Sequence, residues 1–168
     1  MAFTKLGEFV IKTSGELPAV GSTAPDFVLT ANNLDNVKLK DFAGKNVVLN
    51  IFPSIDTKVC AGSMREFNQR AASLNNTVVL CISKDLPFAM KRFCGAEGID
   101  KVTTLSDFRD KGFSKTYGVE MTEGAMEGLF ARAIVVIGPD GKVKYNELVP
   151  SIGQPPDYDA ALKAVGSK

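Results

Sequence analysis

The stretch that decides the fold is residues 47–96, VVLNIFPSIDTKVCAGSMREFNQRAASLNNTVVLCISKDLPFAMKRFCGA. Val47 to Phe52 (VVLNIF) and Val78 to Ser83 (VVLCIS) are short, continuous apolar runs rich in β-branched residues. Runs of that length without alternation suit strands covered on both faces, as in a parallel sheet. Cys60 to Ala72 and Pro87 to Ala96 read as helices. In the first of them Cys60, Met64, Phe67 and Ala71 fall at i, i+4, i+7 and i+11, on one face of a 3.6-residue period. The stretch therefore predicts a βαβα unit with that helix face buried.

Upstream, Phe3 to Lys12 (FTKLGEFVIK) holds two short alternations around Leu6-Gly7-Glu8 and predicts a hairpin of edge strands. Gly15 to Asp26 reads as a connector. Phe27 to Thr30 and Val37 to Leu39 then flank a turn-rich Asn32–Asn36 as a second hairpin, and Asp41 to Lys45 is a short turn. Downstream, Val102 to Leu105 is a strand, Lys111 to Tyr117 a short helix ended by Gly118, and Ala131 to Ile137 a strand. Gly138-Pro139-Asp140-Gly141 turns into the alternating strand Lys142 to Val149, and Pro155-Pro156-Asp157 opens a terminal helix through Val165. With no repeat, low-complexity tract or linker, one domain over residues 1–168 is expected. This order is that of an α/β thioredoxin-like fold, a central mixed sheet flanked by helices, with extra N-terminal β-hairpins. Fold alone does not settle function.

Composition removes several functions. Apolar residues make up 45% of the chain and charged ones 23%, the balance of a globular protein. Twenty basic against 19 acidic residues, with no basic block, lack the footprint of a nucleic-acid binder. The absence of histidine excludes Ser-His-Asp and Cys-His pairs and HExxH zinc helices. Cys60, Cys81 and Cys94 lie 21 and 13 residues apart, which is neither a CxxC pair nor a zinc spacing, and an odd, sparse count argues against a disulfide scaffold. Met1 to Val20 mixes charges among its apolar residues and does not read as a signal peptide. The longest apolar runs are far short of the roughly 20 residues a membrane span needs, and Gly166-Ser167-Lys168 carries no lipidation or peroxisomal ending. A reducing cytoplasm with free thiols, and no membrane partner, is the expectation.

The chemistry gathers at Pro53-Ser54-Ile55-Asp56-Thr57-Lys58-Val59-Cys60. With Thr57 as N-cap, Cys60 is the third helical residue, where free backbone N–H groups and the positive end of the helix dipole favour a thiolate. That placement is a known way to lower a thiol from its free pKa of about 8.5, and Lys58 adds a positive charge. A cysteine on an apolar helix face is also an ordinary core residue, so the residues alone leave both readings open. The same holds for Cys94, late in its helix beside Phe93, and for Arg132, which outward-facing placement on a sheet edge would also explain. Cys81, inside VVLCI, reads as a structural small apolar residue.

Pro53-x-x-x-Thr57-x-x-Cys60, after a strand and opening a helix, resembles the active-site motif of the peroxiredoxins. The longer string from Asn50 to Cys60 is similar to that of the bacterial thiol peroxidases, an atypical 2-Cys family. Further matching blocks are Asn76 to Ser83, Asp85 to Ala89, Arg92 to Gly98 and Ala131-Arg132-Ala133. The resemblance implies that Cys60 is the peroxidatic cysteine, attacking a hydroperoxide to give a sulfenic acid, with no metal or organic cofactor. It implies that Thr57 holds the thiolate and peroxide through its hydroxyl, that Arg132 donates its guanidinium to both, and that Pro53 walls the pocket. It implies that Cys94 resolves the sulfenic acid into an intramolecular Cys60–Cys94 disulfide. A disulfide needs Cα atoms within about 7 Å, so local unwinding around one of the two helices is expected.

The resemblance further implies thioredoxin as reductant, a homodimer burying surface near the active site, alkyl hydroperoxides as favoured substrates, and a role in antioxidant defence. Met90, Met121, Met126, Leu129 and Phe130 are the residues expected at an apolar pocket rim. Asp56, Lys58 and Arg92 read as exposed charges, and Gly124 to Gly128 as a loop near the pocket or an interface. Two departures stand out: Lys58 occupies a position that is usually small in the family, and Val149 to Pro156 (VPSIGQPP) is less acidic than expected. Two other classes share the fold. A general thiol-disulfide oxidoreductase would lack a neighbouring CxxC and leave Thr57 and Arg132 without a duty, and a redox-switched binding protein would stop after one oxidation.

Overall fold

A computed structural model describes residues 2–166; Met1 and the Ser167-Lys168 end, on which two of the targeting expectations fall, lie outside the described residues. The chain runs β1 (Phe3–Leu6), β2 (Phe9–Lys12), β3 (Val28–Ala31), β4 (Asn36–Lys38), β5 (Asn46–Ile51), α1 (Lys58–Ala71), β6 (Thr77–Ser83), α2 (Pro87–Glu97), β7 (Thr103–Ser106), α3 (Phe113–Thr116), β8 (Ala133–Ile137), β9 (Val143–Leu148) and α4 (Tyr158–Val165). Seven strands form one sheet in the order β4-β3-β7-β6-β5-β8-β9. β5, β6 and β7 are parallel, as the βαβ reading requires, and β8, β9, β3 and β4 add antiparallel edges.

Every residue of β5 and β8 is buried, because both faces of the sheet are covered. The two-residue period divides them cleanly. Val47, Leu49 and Ile51 face a core with Phe27, Phe113, Tyr117 and Phe130, in which the Phe113 and Tyr117 rings stack at 4.7 Å. Val48 and Phe52, with Val79 and Cys81 of β6, face the other core, filled by Cys60, Met64 and Phe67 of α1, Met90 of α2, and Ala161 and Val165 of α4. The Cys60–Met64–Phe67 face is buried as its spacing predicts. No helix among the described residues is long and apolar enough to cross a membrane.

Three expectations need correction. β1 and β2 pair as a hairpin but form their own two-stranded sheet rather than an edge of the main one. Only the second hairpin joins the main sheet, through β3 and β7. The helix expected over Lys111–Tyr117 is a single turn, since Gly112 enters it at φ 100°. Arg132 does not lie in a strand: the ladder with β5 starts at Ala133 opposite Ile51. Ahead of it the backbone turns elsewhere, Ala131 N–H donating to the Val119 carbonyl and Val149 N–H to the Arg132 carbonyl.

Asp107, just after β7, is buried with neither carboxylate oxygen partnered. Burial, reinforced by Asp110, pushes its carboxyl up to about 6, against the pull of Lys84. An aspartate with a raised folded value holds its proton more tightly folded than unfolded, so its contribution to stability falls as pH rises from about 4 to about 6. Asp107→Asn is expected to stabilise the protein at pH 7 by about 1–2 kcal/mol, with the gain vanishing near pH 4, checked by urea unfolding at both values.

Candidate active site

The site is built where the parallel strands end. β5 leaves the sheet into Pro53, which has no N–H to continue a ladder and is itself buried. The chain then crosses residues 54–57 and enters α1, with Thr57 as N-cap in extended conformation (φ −95°, ψ 148°). Cys60 is therefore the third residue of the helix, as expected, among backbone N–H groups that have no intrahelical acceptor. Its carbonyl accepts from the Ser63 hydroxyl at 2.8 Å, and the Asn50 amide reaches both Ser63 Oγ (3.3 Å) and Cys81 Sγ (3.6 Å), bracing α1 against β5 and β6.

Arg132 is 1% exposed, which removes the outward-facing reading. Its Nη1 donates to Cys60 Sγ at 3.2 Å, while Nε and Nη2 both donate to the Ile152 carbonyl at 3.1 and 2.9 Å. No carboxylate among the described residues pairs with it. Burying a guanidinium is expensive unless an anion answers it, and among the groups Arg132 bonds, only the Cys60 sulfur can carry negative charge.

Ile152 belongs to the Val149–Pro156 stretch that precedes the last helix. Its carbonyl is aimed by the first hairpin: Ile152 N–H donates to the Lys5 carbonyl, Lys5 N–H to the Pro150 carbonyl, and the buried Thr4 hydroxyl to the Val149 carbonyl. Tyr158, at the start of α4, is near enough to Arg132 and Cys60 for both charges to act on its phenol, which burial pushes up. Its ring packs edge-on against Phe67 at 5.3 Å.

The other expected residues are placed as follows. Thr57 is half-buried; its hydroxyl donates to the Ser54 carbonyl at 3.0 Å and does not touch the sulfur. Cys60 has 0% exposure. Cys94 is half-buried near the end of α2, unpaired with Cys60, and lines a cleft of about 360 Å³ with Asn32, Ile99, Val102 and Thr104. Burial pushes its thiol up, opposed by a hydrogen bond to Thr104. Its carbonyl takes the last bonds of the helix, from Gly98 N–H in the left-handed cap and from Ile99 N–H. Cys81 is fully buried, its thiol pushed up to about 12 by burial against the Asn50 hydrogen bond.

The expected apolar rim does not assemble. Met90, Met121 and Phe130 are fully buried and divided among three separate clusters. Met126 and Leu129 are half-buried beside Ile152, and Gly124 of the same loop lies so close to Ile11 that a Cβ would stand 2.7 Å from it. Asp56, Lys58 and Arg92 are exposed as expected. The residue that sequence reasoning passed over is Asp85, whose carboxylate binds the loop before Cys60 at Ser54 Oγ and Ile55 N–H, both at 2.8 Å.

The redoxin family model matches residues 19–162. The thiol peroxidase of Mycobacterium bovis is 58% identical over 167 residues, 99% of this chain and 100% of its own. The chain belongs to the thiol peroxidases of the redoxin family. A second thiol peroxidase, from Corynebacterium glutamicum, is 54% identical over 153 residues, 91% of this chain and 92% of its own. Among solved structures, a peroxiredoxin-like protein from Aquifex aeolicus has a TM-score of 0.92 at 36% identity, over 98% of this chain and 96% of that one. Membership makes the protein a thiol peroxidase, an enzyme whose substrates are hydroperoxides, and confirms the thioredoxin-like α/β fold.

Removing the guanidinium from this thiol peroxidase tests the geometry. Arg132→Gln is expected to lower kcat/KM for cumene hydroperoxide by about 100-fold or more, the scale of losing one preorganised donor to a developing negative charge. Steady-state peroxide consumption, with circular dichroism to verify folding, checks it.

Proposed function

We propose that the protein reduces hydrogen peroxide and organic hydroperoxides through Cys60, resolves through Cys94 and is recycled by thioredoxin, as a cytoplasmic antioxidant enzyme working as one domain over residues 1–168. The observation that carries this reading is the Arg132 Nη1 to Cys60 Sγ contact at 3.2 Å. The Cys60 thiolate attacks the terminal peroxide oxygen; the O–O bond breaks, and the leaving alkoxide takes a proton to depart as alcohol, or as water from hydrogen peroxide. Negative charge moves from sulfur to the leaving oxygen during that step, and a fixed guanidinium serves both ends of the transfer. Pro53 walls the site, and rotation of the Thr57 hydroxyl from the Ser54 carbonyl brings it to the peroxide.

The sulfenic acid on Cys60 is then attacked by the Cys94 sulfur: an S–S bond forms, the S–O bond breaks, and hydroxide leaves as water. The two cysteines sit on different helices, so the Cys94 end of α2 unwinds, where a left-handed Gly98 and exposed neighbours make fraying cheap. Unwinding also removes the burial that pushes the Cys94 thiol up, so motion and reactivity rise together. Two electrons from the thioredoxin dithiol restore both thiols. Leu86 and Phe88, 52% and 64% exposed beside Asp85, supply the apolar surface for a homodimer near the site.

Reduced protein, given cumene hydroperoxide with thioredoxin, thioredoxin reductase and NADPH, is expected to turn over many times and to show a Cys60–Cys94 bond by peptide mass spectrometry. Cys60→Ser abolishes turnover, Cys94→Ser abolishes the turnover that thioredoxin supports, and Cys81→Ser leaves it largely intact. Oxidation that stops after one equivalent, or a bond to Cys81, contradicts the reading. Amide exchange across α2 is expected to quicken on oxidation; equal protection in both redox states speaks against the unwinding.

A further inference from the structure

Asp85 has no role in the reaction as described, yet its carboxylate holds the turn that leads into Cys60. Both its backbone groups are tied to strand ends, its N–H donating to Ser83 Oγ at 3.1 Å and its carbonyl accepting from Ser106 Oγ. Ser83 ends β6 and Ser106 ends β7. The residue is therefore anchored to the ends of two adjacent parallel strands, next to the start of α2.

From that base the carboxylate gathers three donors. Oδ1 accepts from Ser54 Oγ at 2.8 Å, and Oδ2 accepts from Ile55 N–H at 2.8 Å and from Ser83 Oγ. Ser54 then passes the constraint along the loop. Its Oγ accepts from Asp56 N–H at 3.1 Å, and its carbonyl accepts from both the Thr57 N–H (3.2 Å) and the Thr57 hydroxyl (3.0 Å). Ile55 is buried in the cluster that contains Cys60 and Met64. The chain of contacts thus runs from two strand ends, through one carboxylate, to the cap of the helix that presents Cys60.

We propose that Asp85 is a positioning residue for the peroxide reaction: it sets the 53–57 loop and, through Ser54, the Thr57 cap of the helix that presents the Cys60 sulfur. The proposal rests on the reading of Cys60 as the reacting thiol. Its chemistry requires a carboxylate. Two hydroxyls and one backbone N–H converge on the group, so it must accept three times and donate nothing. An asparagine would turn an NH₂ toward one of those donors, and charge-assisted bonds are roughly twice as strong as neutral ones. Lys84, its chain neighbour, pairs with Glu120 at 2.9 Å, leaving the Asp85 charge to the loop. Donors act on a transition state only when held within a fraction of an ångström of their productive place.

The test uses the full-length reduced protein and two probes of the same sulfur. Single-turnover reaction with cumene hydroperoxide reads the positioned loop, and alkylation of Cys60 by iodoacetamide, followed by mass spectrometry, reads sulfur reactivity without a peroxide to position. Asp85→Asn and Ser54→Ala are each expected to slow the peroxide reaction about tenfold or more, the size of one lost charge-assisted bond, with alkylation changing less than about threefold. The double variant is expected to be about as slow as the slower single one, because both act through one contact. A peroxide rate within about twofold of wild type overturns the proposal, as do parallel changes in both probes, which mark general loosening, or multiplying effects in the double variant. Should Asp85→Asn not fold, Ser54→Ala decides alone: an unchanged peroxide rate overturns the proposal. Cys60→Ser serves as control; peroxide consumption retained there refutes the Cys60 reading itself, independently of Asp85.

Discussion

The interaction on which the rest depends is the buried Arg132 guanidinium, shared between the Cys60 sulfur and the Ile152 carbonyl. A buried charge without a carboxylate is costly, and it persists only where the surrounding structure holds its partners in place. Three separate parts of the fold do so. α1 delivers the sulfur at its third residue, the end of the Val119-bonded segment delivers the arginine just ahead of β8, and the N-terminal hairpin pins the loop carrying Ile152. The hairpin that looks like an accessory in the sequence is therefore part of the support of the site.

Three identical side chains meet three different environments, and burial and charge explain the division. Cys81 lies in the sheet, where burial drives its thiol up to about 12 against the hydrogen bond of the Asn50 amide. Cys60 is equally buried but faces a permanent cation. Cys94 lies between these extremes, half-buried at a helix end closed by a glycine, where modest unwinding changes its exposure. Position in the fold, rather than any neighbouring sequence motif of the CxxC kind, separates the roles.

Much of this was legible in the sequence, and the reasons are physical. A sheet covered on both faces writes continuous apolar runs, so β5, β6 and β8 could be read directly, and the 3.6-residue face of α1 placed Cys60, Met64 and Phe67 inward. The turn residues around Gly7 and Gly138–Gly141 marked their hairpins. Arg132 was harder. Its segment is as apolar as a strand, and only the backbone bonds of Ala131 to Val119 and of Arg132 to Val149 show that the ladder with β5 starts two residues later than expected, at Ala133. The Ile152 contact is a backbone carbonyl, which no side-chain pattern can announce. Asp85 stood only in the matching block Asp85 to Ala89 with no role of its own, because the Ser54 hydroxyl and the Ile55 N–H that meet it lie 31 and 30 residues away in sequence. Methionines and aromatics near residues 121–130 looked like a rim, since apolar character alone does not tell an inward face from an outward one.

The central claim is that Arg132 makes Cys60, of the three thiols, the sulfur that takes the peroxide oxygen. The most direct measurement is to give the Cys94→Ser protein one equivalent of hydrogen peroxide in the presence of dimedone and to map the sulfenic-acid adduct by peptide mass spectrometry. A single adduct, on Cys60, is expected. An adduct on Cys81, or none on Cys60 while peroxide is consumed, would contradict it.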